Sequence, residues 1–111
     1  MLNTVILQHM SVRKFRWSKD YESAEEELIE LLKQKKIDAH RVHVDPHEEM
    51  QLTAIPLPAQ LWLAEGSCTL NVSTRHYSMQ PGDAIDLPNN IDISGMSGMT
   101  GCAYYWNSSQ R

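Results

Sequence analysis

Cysteine and long apolar runs are scarce in this chain, and both absences exclude whole classes of protein. The two cysteines, Cys68 and Cys102, lie outside any CxxC motif and are too few for a disulfide framework. No stretch approaches the roughly 18 consecutive apolar residues of a membrane-spanning helix, and Val5-Ile6-Leu7 is too short for the core of a signal peptide. We therefore expect a cytoplasmic protein with no membrane partner and two reduced core thiols, a disulfide or a reactive thiol being the alternative.

Basic side chains are also in the minority. Ten Lys and Arg against 14 Asp and Glu give a formal net charge of −4, whereas phosphate binding relies on clustered Lys and Arg. The one basic cluster, Arg13-Lys14-Phe15-Arg16, is short, and we interpret it as the solvated face of a strand. No nucleic-acid partner is expected.

Residues 23–36 have the clearest helical pattern in the chain. Ser23 is placed to cap the first turn with its side chain. Glu26, three residues later, is placed to accept a hydrogen bond from the backbone amide of Ser23. Acidic residues at the start and lysines at the end match the helix dipole. Apolar side chains recur at helical spacing and form one stripe, made of Ala24, Leu28, Leu31 and Leu32. The stripe predicts an amphipathic helix lying across the outside of a sheet.

Short runs typical of β-strands fill most of the remaining chain. Residues 10–17 alternate in character, and later strand-like runs cover about residues 41–44, 50–55, 59–64, 68–72, 76–79, 84–87, 91–94 and 102–106. Glu65-Gly66 predicts a hairpin between two of these runs, and the glycine-rich residues 94–101 predict a flexible loop. The pattern predicts one mainly β domain over residues 1–111, with a strand and helix in about 10–37 and an antiparallel barrel or jelly roll in about 40–107.

Two segments of this strand-rich region resemble the cupin family. Gly66 matches the glycine that ends the first cupin motif, and Gly82 followed by Pro88 matches the second motif. The resemblance covers about residues 42–106. It implies a cupin-like, RmlC-like antiparallel β-barrel or jelly roll preceded by one amphipathic helix.

The resemblance also implies where a cupin would hold its metal, and those positions carry no metal ligand here. Counting back from Gly66, the glutamate position is Ala59, and the two histidine positions are Thr53 and Ile55, or Leu52 and Ala54 in the other spacing. The last histidine position is Ile93. Metal sites of this kind require imidazole, carboxylate or thiolate donors, and these positions supply apolar groups and at most one hydroxyl, so we predict no cofactor. The barrel would instead form a ligand pocket lined by Thr53, Ile55, Ala59, Leu61, Leu63 and Ile93.

A displaced metal site is the alternative. His43, His47 and either Glu48 or Glu49 lie within seven residues around Asp45-Pro46 and supply the imidazole and carboxylate donors of a divalent transition metal. Histidines four residues apart reliably share a side only on a helix, which this segment does not resemble. This alternative implies a metal-dependent cupin enzyme of the dioxygenase or isomerase type.

Two further side chains carry structural expectations. Alternation along residues 61–63 points Trp62 out of the sheet, toward a cover helix or a partner subunit. Asp83 follows the turn glycine Gly82, and we expect its carboxylate to cap that turn.

The resemblance implies a function as well as a fold. Cupins that have lost their metal are similar to ligand-sensing domains, so we expect a small-molecule-binding or regulatory module with a small, largely apolar ligand rather than an enzyme. Cupins commonly pair through their sheets, which implies a homodimer, and the early strand of residues 10–17 could cross to the partner.

Overall fold

A computed structural model describes residues 12–18, 25–52, 58–88 and 91–108. Within these ranges no helix is long and apolar enough to cross a membrane. The described elements are, in chain order, β1 (Arg13–Arg16), α1 (Glu25–Gln34), β2 (His40–Val44), β3 (Ala59–Val72), β4 (Arg75–Met79), β5 (Asp83–Leu87) and β6 (Ile93–Ser108).

The strands form one antiparallel sheet in the order β1-β5-β3-β6-β2. The long strands β3 and β6 pair along almost their whole length. On the other side of β3, β5 pairs with its first half and β4 with its second half. The mainly β fold with one helix that the sequence predicts is confirmed, and the described sheet is consistent with a jelly roll although it does not close.

Each face of the sheet carries its own apolar cluster, because side chains alternate along a strand. The inner face holds the inner cluster, to which β3 contributes Leu61, Leu63 and Leu70. The outer face holds the outer cluster, which comprises Leu28, Leu32, Trp62, Ala64 and Ala84. The inner cluster includes side chains from β2, β3, β4, β5 and β6, so the sheet folds around it.

Helix α1 covers the outer face, as its apolar stripe predicts. Leu28 and Leu32 are buried against Trp62, which is 2% exposed. Lys36, with φ of 57°, ends the helix, and the amide of Ile37 donates to the carbonyl of Leu32 at 2.9 Å. The outward orientation of Trp62 toward a cover helix is therefore confirmed, while the predicted cap, Ser23, lies outside the described residues.

The predicted hairpin at Glu65-Gly66 is wrong. Strand β3 runs through these residues without a turn, and its register against β6 shifts on either side of Gly66. Gly66 has φ of 73° and faces Gly101, which has φ of 79°. The positive φ that the sequence pattern assigned to a hairpin belongs to a β-bulge instead.

The predicted flexible loop over residues 94–101 is also wrong, because this segment belongs to β6. Gly95 pairs with Leu70 of β3, and the amide of Met50 donates to the carbonyl of Gly95 at 2.9 Å. A methyl group on Gly95 would lie 2.8 Å from the sulfur of Met50. Glycine at this position therefore allows Met50 to pack closely against β6, and it does not make the segment flexible.

The early strand is found as β1, which pairs with β5 of the same chain through Arg13 to Asp86 and Arg16 to Asp83. Residues 10 and 11 of the predicted strand lie outside the described residues. Val12, just before β1, packs on the inner cluster, whereas Phe15 and Trp17 pack on the outer cluster.

Candidate functional site

The inner face is the first candidate site, since the sequence places the ligand pocket there. Four of the six predicted lining residues are described, and all four lie in the inner cluster. Leu61 and Leu63 are fully buried on β3, while Ala59 and Ile93 are 4% and 7% exposed. The other two, Thr53 and Ile55, lie outside the described residues. The pocket assignment itself stays a prediction.

Three polar side chains lie among the aliphatic residues of the inner cluster, namely Cys68, Cys102 and Tyr104. Gly66 pairs with Cys102 across β3 and β6, and Cys68 follows two residues later on the same face. Both cysteines are free and 3% exposed, which agrees with the core thiols expected from the sequence. In the strand register Cys68 pairs with Ser97, and Cys102 pairs with Gly66.

The two buried thiols shift each other's pKa in opposite directions. The hydrogen bond from Cys68 lowers the pKa of the Cys102 thiol, although burial opposes this effect. The same hydrogen bond and then burial raise the pKa of the Cys68 thiol. Burial raises the pKa of Tyr104 to about 12, and the neighbouring thiols add to the rise.

The displaced metal site, predicted from His43, His47 and either Glu48 or Glu49, is not assembled in the structure. The His43 side chain is 60% exposed, and its Nδ1 atom lies 3.8 Å from the Asp45 carboxylate. His47 occupies a turn with φ of 57°, and the backbone amide of Glu48 donates to Ser97 at 3.0 Å. Within the described part of the chain, no group of three or more His, Cys, Asp or Glu could hold a metal ion.

Asp83 anchors the turn that carries the second motif. Its carboxylate accepts a hydrogen bond from the amide of Gln80 at 2.9 Å, so the predicted turn cap is confirmed. The same buried carboxylate lies 2.7 Å from the guanidinium of Arg16 and 3.7 Å from the amine of Lys14. Sequence reasoning missed these ion pairs, because it assigned the basic cluster to a solvated face and the pairing of β1 with β5 is long-range.

A cleft beside the turn between β3 and β4 is the second candidate site, and sequence reasoning missed it. It has a volume of about 340 Å³ and is lined by Val12, Val72, Ser73, Thr74, Arg75, Tyr77 and Ile91. We call it the rim cleft. Val72 and Ile91 belong to the inner cluster and are 2% and 9% exposed, so the cleft borders the buried core. Arg75 is exposed and forms no ion pair with any described carboxylate.

The turn between β3 and β4 fixes the polar edge of the rim cleft. Ser73 has φ of 56°, and its amide donates to the carbonyl of Asp92 at 3.1 Å. This bond ties the turn to the segment that carries Ile91. A cleft with a largely polar lining, one cation and a few apolar side chains can hold a small molecule that carries a negative group.

No protein-family model and no curated protein matches the chain, but solved structures do. One is an RmlC-like cupin from Shewanella frigidimarina, with 16% identity and a TM-score of 0.58 over 92% of this chain and 79% of the other. The chain has the cupin fold.

Two further cupin-fold comparisons agree. A DUF861 family protein from Thermotoga maritima matches with 13% identity and a TM-score of 0.55, over 89% of this chain and 100% of the other. RmlC from Streptococcus suis, solved in complex with dTDP-D-xylose, matches with 14% identity and a TM-score of 0.56, over 94% of this chain and 67% of the other.

The described donors of this cupin-fold chain do not fit the metal that cupins commonly hold. Ala59 and Ile93 stand at two of the four ligand positions implied by the resemblance, and both pack in the inner cluster. The polar side chains of the inner cluster itself are two thiols and a phenol rather than imidazoles and carboxylates. A histidine and glutamate site cannot form from these residues.

Proposed function

We propose that this cupin is a metal-free small-molecule-binding module whose ligand docks in the rim cleft. The observation that carries the proposal is a cleft of about 340 Å³ in which the exposed cation of Arg75 stands beside Val72, Tyr77 and Ile91. Ligand sites are mostly apolar concavities with few polar groups that fix orientation.

The size and polarity of the rim cleft define the ligand class. A volume of about 340 Å³ lies at the lower end of ligand pockets, which span roughly 300–1,000 Å³. A small apolar body would rest on Val72, Ile91 and Tyr77, and an acidic group would meet Arg75. We therefore infer that the ligand is a small apolar carboxylic acid or a comparable anion.

A thermal-shift comparison tests this proposal. The probes are small aromatic and branched aliphatic carboxylic acids, each matched with its uncharged amide, so that only the negative charge differs within a pair. We expect at least one acid to raise the Tm of the wild type, and its amide to raise it less. Ligand binding stabilises the folded state in proportion to RT ln(1 + [L]/Kd).

Two variants separate the cleft from general charge effects. Arg75→Gln should reduce the shift caused by the acid, with Kd raised roughly tenfold by loss of one charge-assisted contact. Lys33→Gln removes the same charge from the last turn of α1 and should leave the shift unchanged. No shift with any probe, or an equal shift in both variants and the wild type, would contradict the proposal.

Metal content is an independent test of the metal-free part. We expect a metal-to-protein ratio near zero in tag-free protein after dialysis against a mild chelator. A ratio near one would overturn the metal-free assignment and would favour the alternative site at His43, His47 and Glu48. Loss of that metal in His47→Ala would then locate the site.

A further inference from the structure

A further cleft lies beside the end of helix α1, and the proposed function does not use it. It has a volume of about 490 Å³ and is lined by residues 36–38, His40 and residues 106–108. We call it the helix-end cleft. It lies at the last residues of β6, whereas the rim cleft includes Ile91, just before β6 begins. The two clefts are therefore separate sites.

The path of the backbone opens the helix-end cleft. Pairing of β2 with β6 ends at His40 and Trp106, but β6 continues to Ser108. The residues before His40 arrive from the end of α1, where Lys36 has φ of 57° and the amide of Ile37 donates to the carbonyl of Leu32. The chain thus approaches β6 only at His40, and the cleft lies between the helix end and the last residues of β6.

Trp106 supplies the apolar surface of this cleft. It is half-buried, because it packs on the inner cluster and also lines the cleft. It is the only aromatic side chain among the described lining residues. A single indole offers its surface to one side of a ligand, so the cleft suits a molecule with one apolar face.

The other groups of the cleft are mostly polar and of mixed character. The amine of Lys36 donates hydrogen bonds, the carboxylate of Asp38 accepts them, and the imidazole of His40 can do either. All three side chains are exposed, and none has a hydrogen bond or ion pair to another described residue. The charges of Lys36 and Asp38 have opposite signs, so the lining does not favour an ion of either sign.

We propose that the helix-end cleft binds a neutral saccharide whose ring rests on Trp106. A pyranose ring has an apolar C–H face and a rim of hydroxyl groups that both donate and accept hydrogen bonds, which matches an indole surrounded by donors and acceptors. The volume of about 490 Å³ lies within the roughly 300–1,000 Å³ of small-molecule sites. The proposal rests neither on the rim cleft nor on its ligand.

NMR of the isotope-labelled wild-type protein tests the proposal at the indole N–H groups. Three tryptophans give three such signals, and Trp106→Phe identifies that of Trp106. The other two are internal controls, since Trp62 is 2% exposed and the indole of Trp17 donates to the carbonyl of Asp83 at 3.2 Å. We expect at least one of glucose, galactose, mannose and N-acetylglucosamine, at millimolar concentration, to shift the Trp106 signal saturably. Sorbitol, an open-chain polyol, should shift it less because it has no rigid ring face.

A matched pair of variants tests the polar part of the cleft. Asp38→Asn removes the charged acceptor and should raise the Kd of the bound sugar roughly threefold to tenfold. Asp45→Asn makes the same change beyond the other end of β2, where the side chain is 67% exposed, and should leave Kd unchanged. The absence of a saturable shift, a larger shift at Trp17 or Trp62, an equal effect of sorbitol, or equal Kd values in both variants would each overturn the proposal. The wild-type titration decides the question even if a variant fails to fold.

Discussion

At the scale of single residues, Asp83 is the buried charge on which the second-motif turn depends. Its side chain is 6% exposed, and it meets Arg16, Lys14 and the amide of Gln80. The guanidinium of Arg16 is also bound to the carbonyls of Ser18 and Pro81. Asp83 thus joins β1 to the turn before β5.

We expect Asp83→Asn to lower the free energy of unfolding by roughly 3 kcal/mol, because it leaves the partly buried Arg16 without its counter-ion. Asp86→Asn is the matched control, since Asp86 pairs with Arg13, whose side chain is 66% exposed. That variant should cost less than about 1 kcal/mol. Urea unfolding of both variants measures the difference, and equal costs would contradict the assigned role of Asp83.

Gly66 is the second position where one residue controls the fold. An added Cβ would lie 2.0 Å from the carbonyl oxygen of Gly101, and the φ of 73° is itself unfavourable for other residues. We expect Gly66→Ala to cost roughly 3 kcal/mol, seen as a lower urea midpoint. Gly95→Ala should cost less, because its nearest neighbours are side-chain atoms of Met50 and Leu70, which can shift.

At the scale of elements, the start of α1 is fastened to the outer face by one polar group. The Glu25 carboxylate accepts hydrogen bonds from Arg41 of β2 at 2.6 Å and from Tyr105 of β6 at 2.6 Å. Arg41 and Tyr105 are partners in the sheet register. The hydrogen bond from Arg41 lowers the pKa of Glu25 below its ordinary value of 4.5, although burial opposes this shift.

This contact predicts a defined acid dependence of stability. A carboxyl whose pKa is lowered by folding stabilises the protein above its unfolded pKa, and the contribution is lost as pH falls through the folded pKa. Between pH 6 and pH 3 the wild type should therefore lose more stability than Glu25→Gln, by at most about 1 kcal/mol because Arg41 is partly exposed. Glu26→Gln removes the same charge from an exposed site and should retain the wild-type slope. Identical slopes in all three proteins would argue against the contact.

The elements differ in how far the sequence could predict them. Helix α1 could be predicted, because its charges, its stripe and the burial of Leu28 and Leu32 are encoded within ten neighbouring residues. Strands β3 and β6 were predicted as pairs of shorter runs, because the glycines at 66 and 95 resemble turn residues when read locally. Their extended conformation comes from pairing between strands more than 20 residues apart, and tertiary pairing overrides local preference.

The same limit applies to the candidate sites. The inner face could be partly predicted, since simple alternation places Leu61 and Leu63 inside. The rim cleft could not, because Val12, Val72 and Ile91 come from three separate parts of the chain and meet only in the folded sheet. The two cysteines were visible only as isolated residues, and the fold places both in the inner cluster.

At the scale of the whole molecule, both edge strands of the described sheet are rich in basic residues. Strand β1 carries Arg13, Lys14 and Arg16, and strand β2 carries Arg41. Each of these cations is already paired with a carboxylate of the same chain. The edge charges are therefore largely balanced, and we expect the homodimer to bury an exposed apolar surface instead.

The most exposed apolar side chains described on the sheet indicate where that surface would be. Met99 and Met96, both on β6, are 80% and 48% exposed, and flexible methionines suit adaptable contacts. We predict a homodimer by light scattering, and a monomer for the double variant Met96→Lys with Met99→Lys. Ile29→Lys introduces the same charge at an exposed apolar position of α1 and should leave the dimer intact. A wild-type monomer would show that the exposed methionines are tolerated without a partner, and a dimer that survives the double variant would place the interface elsewhere.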